Sequence, residues 1–163
     1  MALSKDIRMS KTPFEFFGSE TLPVASHKVW VTLQNPVILQ QLIPGIERLE
    51  KTTVDTYEFT ARIKLGILMP ALSGRVTYTD VLPENQLGLR IEQHSKVGSA
   101  HMDVLIRLES CAAEETELNY RVQGTADGLI AKAGVKALEK LSGTAIQKFI
   151  ESLDDLIRQQ ELA

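Results

Sequence analysis

The stretch 128–160 constrains the fold of this chain more than any other feature of its sequence. Its apolar and small side chains advance 26 residues in seven steps, about 3.7 residues per step, which is the period of an α-helix. Charged residues lie mostly between these positions, so the pattern predicts one long amphipathic helix. Such a helix must cover a large apolar surface. Its apolar stripe consists of Ile130, Gly134, Leu138, Leu141, Ala145, Phe149, Leu153 and Leu156.

Seven segments upstream of this helix have the pattern of β-strands. In 57–65 every second residue is apolar, which predicts a strand with one buried face. Two short helices are expected after the first strand, since Pro23 suits a first helical turn and Asn35-Pro36 ends or interrupts a helix. Short connections predict an antiparallel sheet, and the separation of strands from helices predicts the α+β class. A sheet of this size curls, and the long helix would lie in its concave face.

The length of the chain predicts a single domain over 12–160, preceded by a flexible segment over 1–11. A straight helix of about 33 residues would be about 50 Å long. A compact domain of 163 residues is only about 40 Å across. We therefore expect a break or bend of the helix at Ser142-Gly143.

Composition and charge exclude several kinds of protein. The formal net charge of −3 is mild, and nucleic acid is not expected as a partner because phosphate binding needs a clustered basic surface. The single cysteine, Cys111, excludes a disulfide framework within the chain. No apolar run reaches the roughly 18 residues of a membrane span, and the segment 1–11 lacks the apolar core of a signal peptide. We expect a cytoplasmic protein, in at most peripheral contact with the inner face of the cell membrane.

The titratable residues form no catalytic or metal-binding pattern. The histidines are spread over a helix and two strands without the spacing of metal ligands. They are His27, His94 and His101. Asp103 alternates in step with the polar residues of its strand, so its side chain is expected to face solvent. Asp80 shares the parity of Val76 and Tyr78, so we expect it to face inward or to lie at an open rim. Neither a metal nor a cofactor is expected.

The connection 66–72 is unusual because its central residues, 67–71, are all apolar. Two interpretations remain open. The strand simply continues under the helix, or the segment forms an apolar lip at a cavity mouth that admits a ligand or touches a bilayer or a partner. Met69 and Met102 would suit an adaptable pocket wall. For Trp30 a place in the core is favoured over contact with a ligand.

A series of short motifs follows this element order. They are Phe14–Ser19 with Gly18, Val29-Trp30, Leu42–Glu47, Ile63–Gly66, Leu72–Val76, Val122–Gly124 and Gly128–Ile130. In this order the chain resembles the CoxG family of carbon monoxide dehydrogenase subunits, within the START-like (SRPBCC) superfamily of helix-grip folds. The likeness covers roughly residues 12–158. Some members of that family carry a hydrophobic C-terminal tail, and we expect no membrane attachment through such a tail here.

The resemblance implies a helix-grip α+β fold, with a curved seven-stranded antiparallel sheet wrapped around the long C-terminal helix. It also implies a cavity for an apolar ligand between sheet and helix, and no catalytic residue that can be transferred. A cavity of the kind that the resemblance implies would bring a set of residues from the sheet, the helices and the connection 66–72 into contact with the ligand. They are Trp30, Leu42, Ile63, Leu65, Met69, Leu72, Val76, Tyr78, Asp80, Met102, Ile130, Ala133, Leu138 and Leu141.

Three functions are compatible with these expectations. The favoured one is non-enzymatic, reversible binding of a small quinone- or lipid-like molecule. The protein would serve a membrane-linked redox enzyme such as a molybdenum-containing hydroxylase of the carbon monoxide dehydrogenase type. The second is a cyclase- or hydrolase-like enzyme that uses a cavity carboxylate such as Asp80. The third is an assembly or recruitment factor that has a filled core and acts through an exposed apolar patch at 67–72.

Overall fold

A computed structural model describes residues 11–162 except 43–44, 63, 65–66 and 134. The predicted flexible segment 1–11 lies outside this description apart from Lys11. For a further group of helical residues the backbone is described but the side chain is not. These are residues 42, 130, 133, 135, 137–138, 141–142, 145–146, 157 and 159–162.

Seven strands form one curved antiparallel sheet in the order β1-β7-β6-β5-β4-β3-β2. Each neighbouring pair from β2 to β7 is joined along the chain by a direct connection, whereas β1 returns to pair with β7. The predicted α+β class and the seven-stranded antiparallel sheet are confirmed. The strands are β1 (Thr12–Leu22), β2 (Ile46–Lys51), β3 (Thr56–Arg62), β4 (Ala71–Leu82), β5 (Gln86–Ser95), β6 (Gly98–Ala112) and β7 (Glu115–Ala126).

Two short helices follow β1, as the sequence predicts. The side chain of Asn35 begins the second one, because its Oδ1 accepts hydrogen bonds from the amides of Val37 (3.0 Å) and Ile38 (3.3 Å). The remaining helices follow β7. The helices are α1 (Ser26–Leu33), α2 (Pro36–Leu42), α3 (Gly128–Ala133) and α4 (Val135–Leu162).

The single long helix predicted after β7 is not confirmed as one element. It is described as the two helices α3 and α4, with Gly134 outside the described residues. The expected break at Ser142-Gly143 is wrong, because α4 continues through both residues. A side chain at Gly143 would meet no atom within 4 Å, so this glycine does not mark a close approach.

The strand connections lie at two opposite ends of the sheet. At the α3 end are the start of β1, the β3–β4 and β5–β6 connections, and α3 itself. There the amide of Leu129 donates to the carbonyl of Val97 in the β5–β6 turn over 2.6 Å. At the α1 end are the β2–β3, β4–β5 and β6–β7 turns and the start of α1, where His27 contacts Glu84.

Two apolar clusters form the described core. The larger joins α1, the end of β1 and the second half of α4, and its Leu22, Val29 and Leu153 are fully buried. The smaller lies between β1, β6, β7 and α3 and contains the stacked rings of Phe14 and Phe16. The larger cluster closes the concave face at the α1 end. Between these clusters and strands β2 to β5 a space remains.

Candidate functional site

This space is a cavity of about 390 Å³ on the concave face of the sheet. Its volume lies within the range of small-molecule pockets. All seven strands except β1 contribute to its wall, and α1, α2 and α4 complete it. The lining residues are Leu33, Leu39, Ile46, Leu49, Tyr57, Phe59, Ala61, Val76, Tyr78, Leu87, Leu89, Ile91, Val104, Ile106, Leu118, Tyr120, Val122 and Phe149.

Strand alternation places these side chains on one face. In β5 the lining residues Leu87, Leu89 and Ile91 are separated by one residue each. The register then aligns them with neighbours from adjacent strands. Ile91 lies opposite Val76 of β4, and Val76 lies opposite Tyr57 of β3. Rows of apolar side chains therefore cross the sheet and form a continuous wall.

The cavity extends from one end of the sheet towards the other. At the α1 end its wall includes Leu118 and Phe149, which belong to the larger core cluster. At the α3 end it reaches Ile46 and Ala61, the last residues that pair β2 with β3. Packed core at the α1 end thus forms the floor of the cavity. The opposite end of the cavity lies beside the β3–β4 connection.

Three tyrosines carry the only side-chain polar atoms among the described lining residues. The rings of Tyr57 and Tyr78 lie 5.4 Å apart between centroids and are tilted by 49°. Burial raises the pKa of Tyr78, and a side-chain hydrogen bond with Tyr57 raises it further. Burial and the charges of Glu20 and Glu139 raise the pKa of Tyr120. Both phenols therefore remain neutral and able to donate a hydrogen bond around neutral pH.

No described residue of the lining carries a charge at neutral pH. An ion inside such a wall would lose its hydration without a partner, so the cavity favours an uncharged molecule. Within the described part of the chain, no cluster of histidine, cysteine and carboxylate side chains could hold a metal ion. Among the described helices, none combines the length and apolar character required to cross a bilayer.

The predicted ligand contacts are distributed over several environments. Val76 and Tyr78 line the cavity. Trp30 belongs to the larger core cluster, Leu72 is buried outside the cavity lining, and Met102 packs against the smaller cluster. Residues Ile63 and Leu65 lie outside the described residues, as do the side chains of Leu42, Ile130, Ala133, Leu138 and Leu141.

Two of the predicted contacts lie on the surface. Asp80 is exposed, because the register of β4 against β5 shifts between Tyr78 and Val81. Such a bulge breaks the two-residue alternation from which the inward orientation of Asp80 was predicted. Met69 is 56% exposed and lies in the connection between the end of β3 at Arg62 and the start of β4 at Ala71.

Several lining residues were missed by the sequence prediction. The alternation of β5 and β6 is visible in the sequence and could have identified Leu89, Ile91, Val104 and Ile106. Whether residues of α1, α2 and β2 line the cavity depends on how these elements pack over the sheet. No local sequence pattern indicates this packing. Phe149 belongs to the predicted helix stripe, although it was not among the residues predicted to contact the ligand.

A second depression, of about 410 Å³, lies over β2 to β5 and is lined mainly by polar side chains. Its charges include Glu58, Arg75 and Glu92, which lie directly opposite one another on neighbouring strands. Charges of opposite sign adjacent in this way stabilise the sheet surface. The apolar cavity is therefore the better candidate for a ligand site.

Solved structures of other proteins share this fold. A conserved protein from Geobacillus kaustophilus is 23% identical, with a TM-score of 0.83 over 90% of this chain and 96% of that one. A START superfamily protein from Mycobacterium smegmatis is 8% identical, with a TM-score of 0.71 over 90% and 98% of the two chains. The ZhuI aromatase/cyclase from Streptomyces sp. R1128 is 13% identical, with a TM-score of 0.68 over 90% and 96%. These likenesses show a START-like fold.

The amino-acid sequence matches one known family over most of its length. No curated protein matches the chain significantly. The profile of the family matches residues 18–158, which include every described residue that lines the cavity. The chain therefore belongs to the CoxG family of carbon monoxide dehydrogenase subunits.

Proposed function

We propose that this protein reversibly binds a small, uncharged and mainly apolar molecule in the cavity. The observation that supports it is the nearly complete apolar lining, interrupted only by tyrosine hydroxyls among the described residues. Burial of ligand surface would contribute about 2.5 kcal/mol per 100 Å² of apolar area, before the cost of immobilising the ligand.

A quinone- or lipid-like compound fits this chemistry best. Its apolar body would contact the aliphatic wall, and a carbonyl or ester oxygen could accept a hydrogen bond from the Tyr57–Tyr78 pair. Membership of the CoxG family supports a redox setting, because the family takes its name from carbon monoxide dehydrogenase. The protein would act in the cytoplasm as an accessory to a molybdenum hydroxylase of that type.

Ligand binding is tested by native mass spectrometry and solvent extraction of the purified protein, followed by thermal unfolding with added quinone analogues. We expect a bound apolar compound, or a rise in melting temperature with the analogue. Ala61→Trp would place an indole in the cavity and abolish the stabilisation by the ligand. Ala112→Trp adds the same group at an exposed position and serves as the matched control. Absence of any bound compound together with no stabilisation would refute ligand binding.

The proposed partner requires a separate experiment. The chain and a purified molybdenum-containing carbon monoxide dehydrogenase are mixed and separated by size-exclusion chromatography. Co-elution is the expected result. Independent elution at concentrations well above those in a cell would contradict the accessory role while leaving ligand binding intact.

The enzyme alternative receives no support from the described lining, which offers no carboxylate, imidazole or thiol as an acid, base or nucleophile. The exposed position of Asp80 removes the residue on which that alternative depended. The recruitment alternative predicted a filled core, and the cavity contradicts that part of it. Its other part, an exposed apolar patch, is present at the β3–β4 connection.

A further inference from the structure

The tip of the β3–β4 connection exposes a cluster of large apolar side chains at the α3 end. Ile67 is 99% exposed, Met69 56% and Leu68 45%. Leu129, in the first turn of α3 at the same end of the sheet, is 40% exposed. Connections between strands are usually polar, so this tip exposes apolar surface that packing of the fold does not use.

Four exposed lysines surround the same end of the molecule. Each precedes or follows a strand there or lies in α3, each is exposed, and none forms an ion pair with a described carboxylate. They are Lys11, Lys64, Lys96 and Lys132.

Two carboxylates lie at the same end, and the charge of Lys11 acts on one of them, Asp127. Glu47 pairs with Arg62 at 3.2 Å. Asp127 accepts hydrogen bonds from the amide of Ser99 (2.8 Å) and from its hydroxyl (2.9 Å). Arg62 and the four lysines outnumber Glu47 and Asp127, so the α3 end is positive although the chain carries a net charge of −3.

The α1 end has the opposite character. Its turns and the neighbouring part of α4 carry exposed carboxylates that outnumber the lysines and arginines beside them. The exposed acidic residues there include Asp55, Asp80, Glu84, Glu109, Glu114, Glu115, Glu151 and Asp155. A negatively charged surface would attract the α3 end and repel the α1 end, so the protein would approach it in one orientation.

We propose that the α3 end docks on an anionic lipid bilayer. Ile67, Leu68 and Met69 would insert among the lipid headgroups and upper acyl chains, and the lysines would contact lipid phosphates. The aliphatic tip distinguishes a bilayer from the phosphate backbone of a nucleic acid, which offers no apolar layer to receive it. Charge complementarity favours a bilayer with anionic lipids over a neutral one.

Docking of this kind goes beyond the proposed ligand binding and does not depend on it. It would nevertheless place the bilayer beside the cavity. The cavity reaches Ile46 and Ala61, and the adjacent Arg62 amide donates to the carbonyl of Gly45 over 2.8 Å at the base of the β3–β4 connection. An apolar molecule leaving the cavity at this end would meet the acyl chains and would not have to cross water.

Vesicle co-sedimentation tests the docking surface. The full chain is mixed with vesicles of phosphatidylglycerol and phosphatidylcholine in equal parts, and with vesicles of phosphatidylcholine alone. We expect binding to the anionic vesicles that weakens as salt is added. Ile67→Asp should lower the partition constant by roughly tenfold or more, because the inserted side chain becomes charged.

Val54→Asp is the matched control, because Val54 is an exposed aliphatic residue (84%) in the β2–β3 turn at the α1 end. It should bind vesicles as well as the wild type does. Circular dichroism spectra of both variants establish that they are folded.

A second pair of variants tests the lysines. Lys96→Glu combined with Lys132→Glu should lower binding to anionic vesicles by at least about fivefold for each lysine. Lys51→Glu, at the α1 end, should leave binding unchanged. Absence of wild-type binding at low salt, equal binding to neutral and anionic vesicles, or equal losses in the test and control variants would each overturn membrane docking. A different pair of results would assign this end to a protein partner. In that case the wild type does not bind vesicles, and Ile67→Asp abolishes the complex with the redox enzyme.

Discussion

Gly18 of β1 and Tyr120 of β7 lie directly opposite each other in the sheet, and the phenol of Tyr120 occupies the space above the glycine. A Cβ atom at Gly18 would lie 2.3 Å from the phenol oxygen and 2.5 Å from the ring carbon that bears it. Only a residue without a side chain permits this approach. The ring can thus lie over the β1 edge and does not project into the middle of the cavity.

We predict that Gly18→Ala changes the cavity through Tyr120. The added methyl group would force the ring towards the cavity centre, which should lower affinity for the ligand and cost about 1–3 kcal/mol of stability by overpacking. Calorimetric titration and urea unfolding measure the two effects. In the double variant with Tyr120→Ala the effect of Gly18→Ala should largely disappear, and full additivity would contradict the contact.

A second prediction concerns the pH dependence of stability. Because the pKa of Tyr78 is raised above its usual 10.0, the folded protein retains this proton at a pH where the unfolded chain loses it. The unfolded state therefore binds fewer protons, and the free energy of unfolding falls as pH rises above about 10. Below the pKa that Tyr78 has in the unfolded chain, its contribution to the free energy of unfolding is fully present.

Urea unfolding between about pH 8 and about pH 11 measures this slope. Tyr78→Phe removes the ionisable group and should make the alkaline decline shallower. Tyr120→Phe should act in the same direction, since burial also raises its pKa. If the free energy of unfolding falls with pH equally steeply in the wild type and both variants, these phenols have the same pKa in the folded and unfolded states, which would contradict the prediction.

A third prediction concerns the buried hydroxyl of Thr116. It is fully buried and donates to the carbonyl of Val24 over 2.6 Å, which ties the start of β7 to the segment before α1. Thr116→Val should lower the free energy of unfolding by about 1–3 kcal/mol, because the carbonyl of the buried Val24 loses its partner. Ser110→Ala removes an exposed hydroxyl bond to Ala112 and should cost less than about 0.5 kcal/mol.

A fourth prediction concerns the closed floor of the cavity. Leu153 of α4 is fully buried in the larger cluster, so Leu153→Ala should destabilise the protein by about 2–5 kcal/mol. Leu82→Ala shortens a leucine that is 57% exposed and should have an effect below about 0.5 kcal/mol. Thermal and urea unfolding distinguish the two. Similar effects in both variants would mean that α4 does not close the floor.

The sheet could be predicted because alternation is a local property. Tyr57, Phe59 and Ala61 show their buried face in the sequence, and the sheet places all three on the cavity wall. Asp80 shows the limit of this reasoning, since the bulge before Val81 depends on pairing with β5 and leaves no mark in β4 alone. Alternation carries no information about insertion or omission of a residue relative to the partner strand.

The cavity could be predicted only as a consequence of the fold family. Whether Leu33 of α1 or Leu49 of β2 reaches the space depends on the angle at which α1 and α2 cross the sheet. Gly18 shows the same limit, because a glycine within a strand is compatible with a bend or a close approach and does not name the approaching group. The distant residue Tyr120 is fixed only by the pairing of β1 with β7.

That pairing also has a consequence for how the protein reaches its folded state. Strands β2 to β7 are joined as successive hairpins, which can form early because little loop entropy is lost. Joining β1 to β7 brings together residues about a hundred positions apart, a slow event that we expect to come late and to limit the folding rate. Tyr120 meets Gly18 only in that step. A nascent chain therefore cannot fix Tyr120 in the cavity wall until β7 has been synthesised and β1 has paired with it.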